Sequence, residues 1–225
     1  MTNPRLLDTF CGAGGCSMGY HRAGFEVVGV DIEPQPHYCG DEFVQGDAIE
    51  YIQERGREFD VIHASPPCQK HVTLQHINKA QGRQNLHVDL IATTRAALIQ
   101  TGKPYVIENV QGSSLKTQII LCGHSFGLER LARHRHFESN YLLFAPPCSH
   151  RRSTMPIIGV YGDRPDGHRV SERRYRLTRT AKSLEEAIEI MDIDWMTWPE
   201  IKEAIPPVYT EWLGRQLLAA LEGHR

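Results

Sequence analysis

The apolar pair Leu6-Leu7 runs straight into Asp8-Thr9-Phe10-Cys11-Gly12-Ala13-Gly14-Gly15 and then into an amphipathic stretch reaching Tyr20. A buried strand that empties into a glycine-rich turn and a helix permits few architectures, because the helix must carry the chain back to a neighbouring parallel strand. Glycines at 12, 14 and 15 allow a tight turn and a close approach of backbone to a bound nucleotide. The next apolar run, Glu26-Val27-Val28-Gly29-Val30, ends in Asp31, an acid about 20 residues past the turn, where a ribose diol is usually held. A third run, Glu42-Phe43-Val44-Gln45, ends in Gly46-Asp47, a further acid suited to an adenine amino group. These acids favour a nucleoside cofactor over a phosphate-only ligand.

The alternation of short apolar runs with helical stretches continues from residue 5 to about 145 and predicts a doubly wound, Rossmann-like α/β sheet. Within it, Phe59-Asp60-Val61-Ile62-His63 reads as a buried strand followed by Ala64-Ser65-Pro66-Pro67-Cys68-Gln69. Two rigid prolines at a strand end present Cys68 as a nucleophile, and the thiolate is the strongest ordinary nucleophile at neutral pH. Pro146-Pro147-Cys148 repeats the pattern, so context must decide. That context is a further buried strand, Lys103 to Val110, which carries Glu108, and an extended segment, Leu131-Ala132-Arg133-His134-Arg135, with two guanidinium groups on one side.

Taken in order, these segments resemble the cytosine-C5 DNA methyltransferase family. Asp8 to Gly15 is similar to its cofactor loop, Pro67-Cys68-Gln69 to its nucleophile motif, Glu108-Asn109-Val110 to its acid motif and Arg133-His134-Arg135 to its paired-arginine motif. Glu203-Ala204-Ile205-Pro206-Pro207 resembles the closing motif, which returns to the cofactor pocket. The resemblance implies transfer of a methyl group from S-adenosylmethionine to C5 of a cytosine flipped out of double-stranded DNA. It makes Cys68 the thiolate that adds at C6, Glu108 the acid at N3, and Arg135, with Arg133 beside it, the guanidinium at O2. It also implies a cofactor pocket lined by Asp8, Phe10, Cys11, Gly12, Ala13, Gly14 and Gly15, by Asp31, Ile32, Asp47 and Ala48, and by Pro67, Leu90, Glu203, Ala204 and Ile205. Two departures stand out. Leu131 replaces the glutamine that commonly opens the arginine motif, and Glu203 replaces a neutral asparagine.

An overall charge of -2 and a pI near 6.6 give no global attraction to nucleic acid, so contact must come from a local patch. Residues 151 to 182 supply one, with nine basic against three acidic side chains. The candidate DNA contacts are Arg151, Arg152, Arg169, Arg173, Arg174 and Arg176 within it, and Gln69 of the nucleophile motif. Domain boundaries follow: a catalytic and cofactor-binding domain over 1–145, a reduced recognition segment over 146–182, and C-terminal helices over 183–225 that return to the catalytic domain. Ser183-Leu184-Glu185-Glu186 and Thr197-Trp198-Pro199-Glu200 have capping-box spacing, and a last helix from about Val208 places Leu213, Leu217, Leu218 and Leu221 on one face.

An RNA cytosine-C5 methyltransferase or a catalytically silent DNA-binding relative remain alternatives, since reading a 2′-hydroxyl leaves no local signature. The recognition material is short, as in a phage or mobile-element enzyme of a restriction-modification type. The six cysteines show no paired framework, and no apolar run of about 18 residues or leading signal occurs. The expectation is a cytoplasmic protein, in a bacterial or phage-infected host cell, with no membrane partner and an unknown oligomeric state. Cys122-Gly123-His124 and Cys148-Ser149-His150 have the form of metal-binding pairs, but Cys122 closes an apolar run and reads as a packed thiol, so no metal is assigned.

Overall fold

A computed structural model describes residues 3–67, 90–148, 150, 154–172 and 177–223, with backbone alone for 169–172 and 177–178. The elements in the first half are β1 (Arg5–Thr9), α1 (Gly15–Ala23), β2 (Glu26–Asp31), β3 (Glu42–Gln45), α2 (Ala48–Arg55), β4 (Val61–Ala64), α3 (Leu90–Thr101) and β5 (Tyr105–Asn109). They are followed by β6 (Ile119–Leu121), a 3-10 turn (Gly123–Phe126) and β7 (Arg135–Ser139). The seven strands form one sheet in the order β3-β2-β1-β4-β5-β7-β6. The first five run parallel, and β7 is antiparallel to both β5 and β6. This is the doubly wound α/β fold expected from the sequence.

Adjacent apolar pairs explain why both faces are covered. Successive strand side chains point to opposite faces. Leu6, Val27, Val61 and Val106 therefore join one core, while their neighbours Leu7, Val28, Ile62 and Ile107 join the other. The first core is completed by Tyr20 of α1 and by Tyr209, Leu213 and Leu217 of α6 (Pro207–Glu222). Ile52 of α2 and Ala97 and Leu98 of α3 complete the second. A continuous apolar run is what a two-sided parallel strand needs.

A second sheet of three strands, β8 (Ile157–Gly159), β9 (Arg169–Glu172) and β10 (Leu177–Thr180), has the order β8-β10-β9. Sequence alternation does not suggest it. Its core is shared with α4 (Leu184–Met191) and α5 (Trp198–Ile201): Ile158, Val160 and Ala181 pack with Ala187, Ile190, Met191, Trp198 and Ile201. Both expected caps are present. The Ser183 hydroxyl accepts from Glu186 N at 3.2 Å, and the Glu200 carboxylate accepts from Thr197 N at 2.7 Å and its hydroxyl at 2.6 Å. Of the C-terminal helices, α6 packs on the main sheet, whereas α4 and α5 build the small-sheet core. Leu131 and Ala13 join that core from the main domain, so Leu131 is a packing residue here.

The contact between α1 and α6 is made at backbone distance. A Cβ on Gly19 would stand 2.1 Å from the Pro207 carbonyl, and one on Gly15 would stand 2.5 Å from that of Ile205. Gly19→Ala should therefore destabilise the fold by about 1–3 kcal/mol in urea unfolding. Gly46→Ala, at a position with nothing within 4 Å, should change stability little. Equal effects would show that the helix contact is not tight.

Candidate active site

In a parallel sheet the strand order reverses where chain connections leave in opposite directions, and the crevice outside the carboxyl ends of those strands is the natural binding place. Here the reversal falls between β1 and β4. A cleft of about 760 Å³ opens there, lined by Asp8 of β1, by Phe10, Cys11, Gly12 and Ala13 of the loop that follows it, from the end of β2 by Asp31 and Ile32, and from the end of β4 by Ser65, Pro66 and Pro67. Glu108 and Asn109 of β5, Arg135 of β7, and Glu203, Ala204 and Ile205 complete the wall. Distant stretches of sequence thus meet in one crevice.

At one end stands a buried acid. Glu108 lies in a fully covered strand, and Arg135 Nε is 3.1 Å from its Oε1. The contact is one of charge and not an aligned bond, because Glu108 Oε1 has no hydrogen-bond partner among the described residues. Burial raises the Glu108 pKa above the usual carboxylate value, and the Arg135, Ser65 and Arg133 contacts oppose this without cancelling it. The carboxyl is thus biased toward its protonated form. Behind it runs a chain that includes His63, which from sequence alone reads as simple packing: Tyr20 Oη lies 2.9 Å from His63 Nδ1, and His63 Nε2 lies 2.9 Å from Ser65 Oγ. Ser65 in turn acts on Glu108, opposing the rise in its pKa. Burial depresses His63 to about 3, so the ring in this chain is neutral. Asn109 donates its amide to Pro66 O at 2.7 Å and so fixes the backbone that leads to Cys68.

The two arginines do different things. Arg135 faces Glu108 inside the cleft. Arg133 turns away from it: Nη1 donates to Val160 O at 2.8 Å and Nη2 to Lys202 O. Burial pulls Arg133 down to about 9. It lines a neighbouring cleft of about 610 Å³, between the small sheet and residues 202–203, instead of the one that holds Glu108. The sequence places both guanidinium groups on one side of an extended segment with Arg133 beside Arg135; here they take different partners, Arg135 facing Glu108 and Arg133 bonding to Val160 and Lys202.

At the other end the glycine loop is held by its own backbone. Gly12 N donates to Asp31 Oδ2 at 2.9 Å, and Phe10 takes a left-handed φ of 58°, rare for a side chain of that size and typical of functional turns. Gly14, at φ 89°, is the N-cap of α1, and a Cβ there would meet Cys39 Sγ at 2.7 Å. Gly15 reaches the cleft. Asp8 is fully buried, accepts from Ser17 Oγ at 2.6 Å, and keeps Oδ1 without a partner among the described residues. Burial raises it to about 7.

Four expected cofactor residues stand outside the cleft wall: Gly14, the N-cap of α1, together with Asp47, Ala48 and Leu90. Asp47 Oδ1 accepts from Ile49 N at 2.8 Å and Glu50 N at 3.0 Å, the task of a helix N-cap. Ala48 is buried in the first turn of α2, and Leu90 begins α3. Cys68, Gln69, Arg151, Arg152, Arg173, Arg174 and Arg176 lie outside the described residues, and Arg169 is described only as a backbone position in β9. Among the described residues no helix is long and apolar enough to cross a membrane.

Residues 5–118, from β1 to the approach of β6, match the family of C-5 cytosine-specific DNA methylases. The type II methyltransferase M.XorII of Xanthomonas oryzae pv. oryzae is 31% identical over 128 residues, which cover 50% of this chain and 29% of that protein. The chain spans half or less of the length of the curated relatives it matches. Two solved structures share its fold: one described as a DNA modification methyltransferase encoded within an E. coli prophage, and S. pombe Dnmt2 methyltransferase. Each has a TM-score of 0.61 and covers 97% of this chain and 99% of its own, at 14% and 13% identity respectively. The matched half holds the glycine loop, Asp31, Pro67 and Glu108, which form much of the cleft wall, and the chain belongs to the C-5 cytosine-specific DNA methylase family.

Proposed function

We propose that the chain is a DNA (cytosine-5-)-methyltransferase that takes its methyl group from S-adenosylmethionine and works on a cytosine flipped out of double-stranded DNA. One observation carries the reading: a buried, proton-biased Glu108 and the Arg135 guanidinium share a cleft with Pro67, the residue before Cys68, while the glycine loop and Asp31 hold the opposite end. The residues fit the cofactor. Gly12, Gly15 and Phe10 supply a close backbone wall, Asp31 an acceptor for ribose hydroxyls, and Asp8 Oδ1 a buried acceptor still to be satisfied. When bound, S-adenosylmethionine supplies a methyl group on a positively charged sulfur.

Cytosine C5 is a weak nucleophile, so a bond must first form between the Cys68 sulfur and C6, which moves an electron pair onto C5. Glu108 gives its proton to N3 as that charge develops, and the Arg135 guanidinium faces O2. With S-adenosylmethionine bound, the C5–methyl bond would form as the sulfonium–methyl bond breaks; loss of the C5 proton to a base and cleavage of the C6–sulfur bond would then restore the thiolate, with N3 returning its proton to Glu108. The neutral His63 and Ser65 behind Glu108 orient the acid without adding a competing charge. Arg133 serves as a positioning residue that ties the arginine segment to Val160 and Lys202. The local basic patch at 151–182 supplies phosphate contacts.

Incubation with S-adenosylmethionine and either duplex DNA or RNA, followed by base-resolution mapping, should yield 5-methylcytosine in the DNA. Methylation confined to RNA, or found in neither polymer, would overturn the reading. Glu108→Gln should lower turnover by about 10²-fold or more with duplex affinity nearly unchanged. Equal losses in both would make Glu108 a scaffold.

Asp8 gives a check on the cofactor end. Its carboxyl is raised from 3.8 to about 7 on folding, so the folded chain binds more protons than the unfolded one across that window. Stability must then fall as pH rises from about 4 to about 7 on account of this group. Asp8→Asn should remove that component, and its stability relative to the parent should grow across the window. A difference independent of pH would contradict the buried, raised carboxyl.

A further inference from the structure

Beside the cleft, four side chains of metal-binding type converge from three separate stretches of chain. Cys122 follows β6, His134 precedes β7, and Cys148 and His150 lie on the segment that leaves the main sheet for the small one. Their candidate ligand atoms all lie within 4.8 Å of one another. We propose that Cys122, His134, Cys148 and His150 form a structural site for a tetrahedral divalent metal, zinc above all.

The distances suit the ion. With Zn–S near 2.3 Å and Zn–N near 2.0–2.1 Å, tetrahedral geometry sets sulfur and nitrogen ligands about 3.5–3.6 Å apart. Cys122 Sγ is 3.5 Å from His150 Nδ1, and Cys148 Sγ is 3.5 Å from His134 Nε2. Cys148 Sγ to His150 Nδ1, at 2.8 Å, must open by about 0.7–0.8 Å to admit the metal. Four protein ligands leave no open position, so the site is structural and not catalytic. Two thiolates balance the charge of the dication, and binding releases their protons to solvent. Cys122 and His150 are buried, whereas Cys148 is exposed and gives the ion a way in.

Strand pairing explains why His134 takes the place that sequence spacing gives to His124. In the antiparallel ladder of β6 and β7, Leu121 pairs with Arg135, so the next step brings Cys122 level with His134. His124 is instead carried into the 3-10 turn. His134 stands between Arg133 and Arg135, and Arg133 O accepts a hydrogen bond from Tyr209 Oη at 2.6 Å. A metal here fixes the backbone from which both guanidinium groups start, and pins the point where the chain departs for the small sheet.

The purified full chain, expressed with zinc, should hold one metal per chain by elemental analysis. Replacement by Co²⁺ should give the visible bands and thiolate charge-transfer absorption of a tetrahedral Cys2His2 site. Cys148→Ser, at an exposed position, and His134→Ala should each weaken zinc binding by more than about 100-fold, while His124→Gln keeps it. Stripping with a chelator should lower the melting temperature, and zinc should restore it. Absence of retained zinc and of a cobalt spectrum in the parent chain, full metal content in Cys148→Ser, or a Cys122–Cys148 disulfide under reducing conditions would each overturn the proposal.

Discussion

The reversal of strand order between β1 and β4 is the constraint on which everything else rests. Because β1 is buried on both faces, its chain can leave only along the strand axis, and the connections to either side must part there. The glycine loop, Asp31, the Ser65-Pro66-Pro67 turn and Glu108 are all carboxyl-end groups of parallel strands, so they face a common crevice. The close seat of α1 on α6 completes that crevice from behind. Gly15 and Gly19 let the C-terminal helix approach near enough for Ala204 and Ile205 to form its far wall.

Within the crevice, burial outweighs attraction. A guanidinium 3.1 Å away ordinarily holds a carboxylate ionised. At Glu108 desolvation is the largest influence, and the pKa is raised despite Arg135. Asp8 is raised by the same cause at the opposite end. The contrast with Glu138 is instructive. There the bidentate Arg95 guanidinium, with Oε2 also accepting from Lys116 N at 2.7 Å, overcomes burial and the pKa falls. An aligned two-point bond holds a carboxylate charged, and a single side-on contact leaves it able to take up a proton and give it away.

Much of this is legible in the chain. Paired apolar residues such as Leu6-Leu7 and Val61-Ile62 announce strands covered on both faces, and strand-end acids such as Asp31 and Glu108 announce the cleft. What the sequence conceals depends on long-range placement. Arg133 and Arg135 look alike along the extended segment and differ because the Val160 and Lys202 carbonyls accept from Arg133, while Arg135 faces Glu108. Ser65 and His63 gain meaning only when Tyr20 and Glu108 meet them from other elements. Asp47 has the right position for a base contact, but it also precedes a helix, whose free N–H groups its side chain accepts. The small sheet escapes notice because β8 has only three residues and β9 and β10 four each.

The central proposal is that Glu108, its pKa raised by burial, donates a proton to a cytosine attacked by Cys68. The most direct test is covalent capture: duplex DNA carrying 5-fluorocytosine, incubated with the protein and S-adenosylmethionine, followed by peptide mapping of the adduct. Fluorine at C5 blocks the final elimination, so the account predicts an irreversible complex joined through Cys68 and absent in Cys68→Ser. An adduct through Cys148, or methylation of ordinary DNA by a protein that never traps on the fluorinated base, would contradict it.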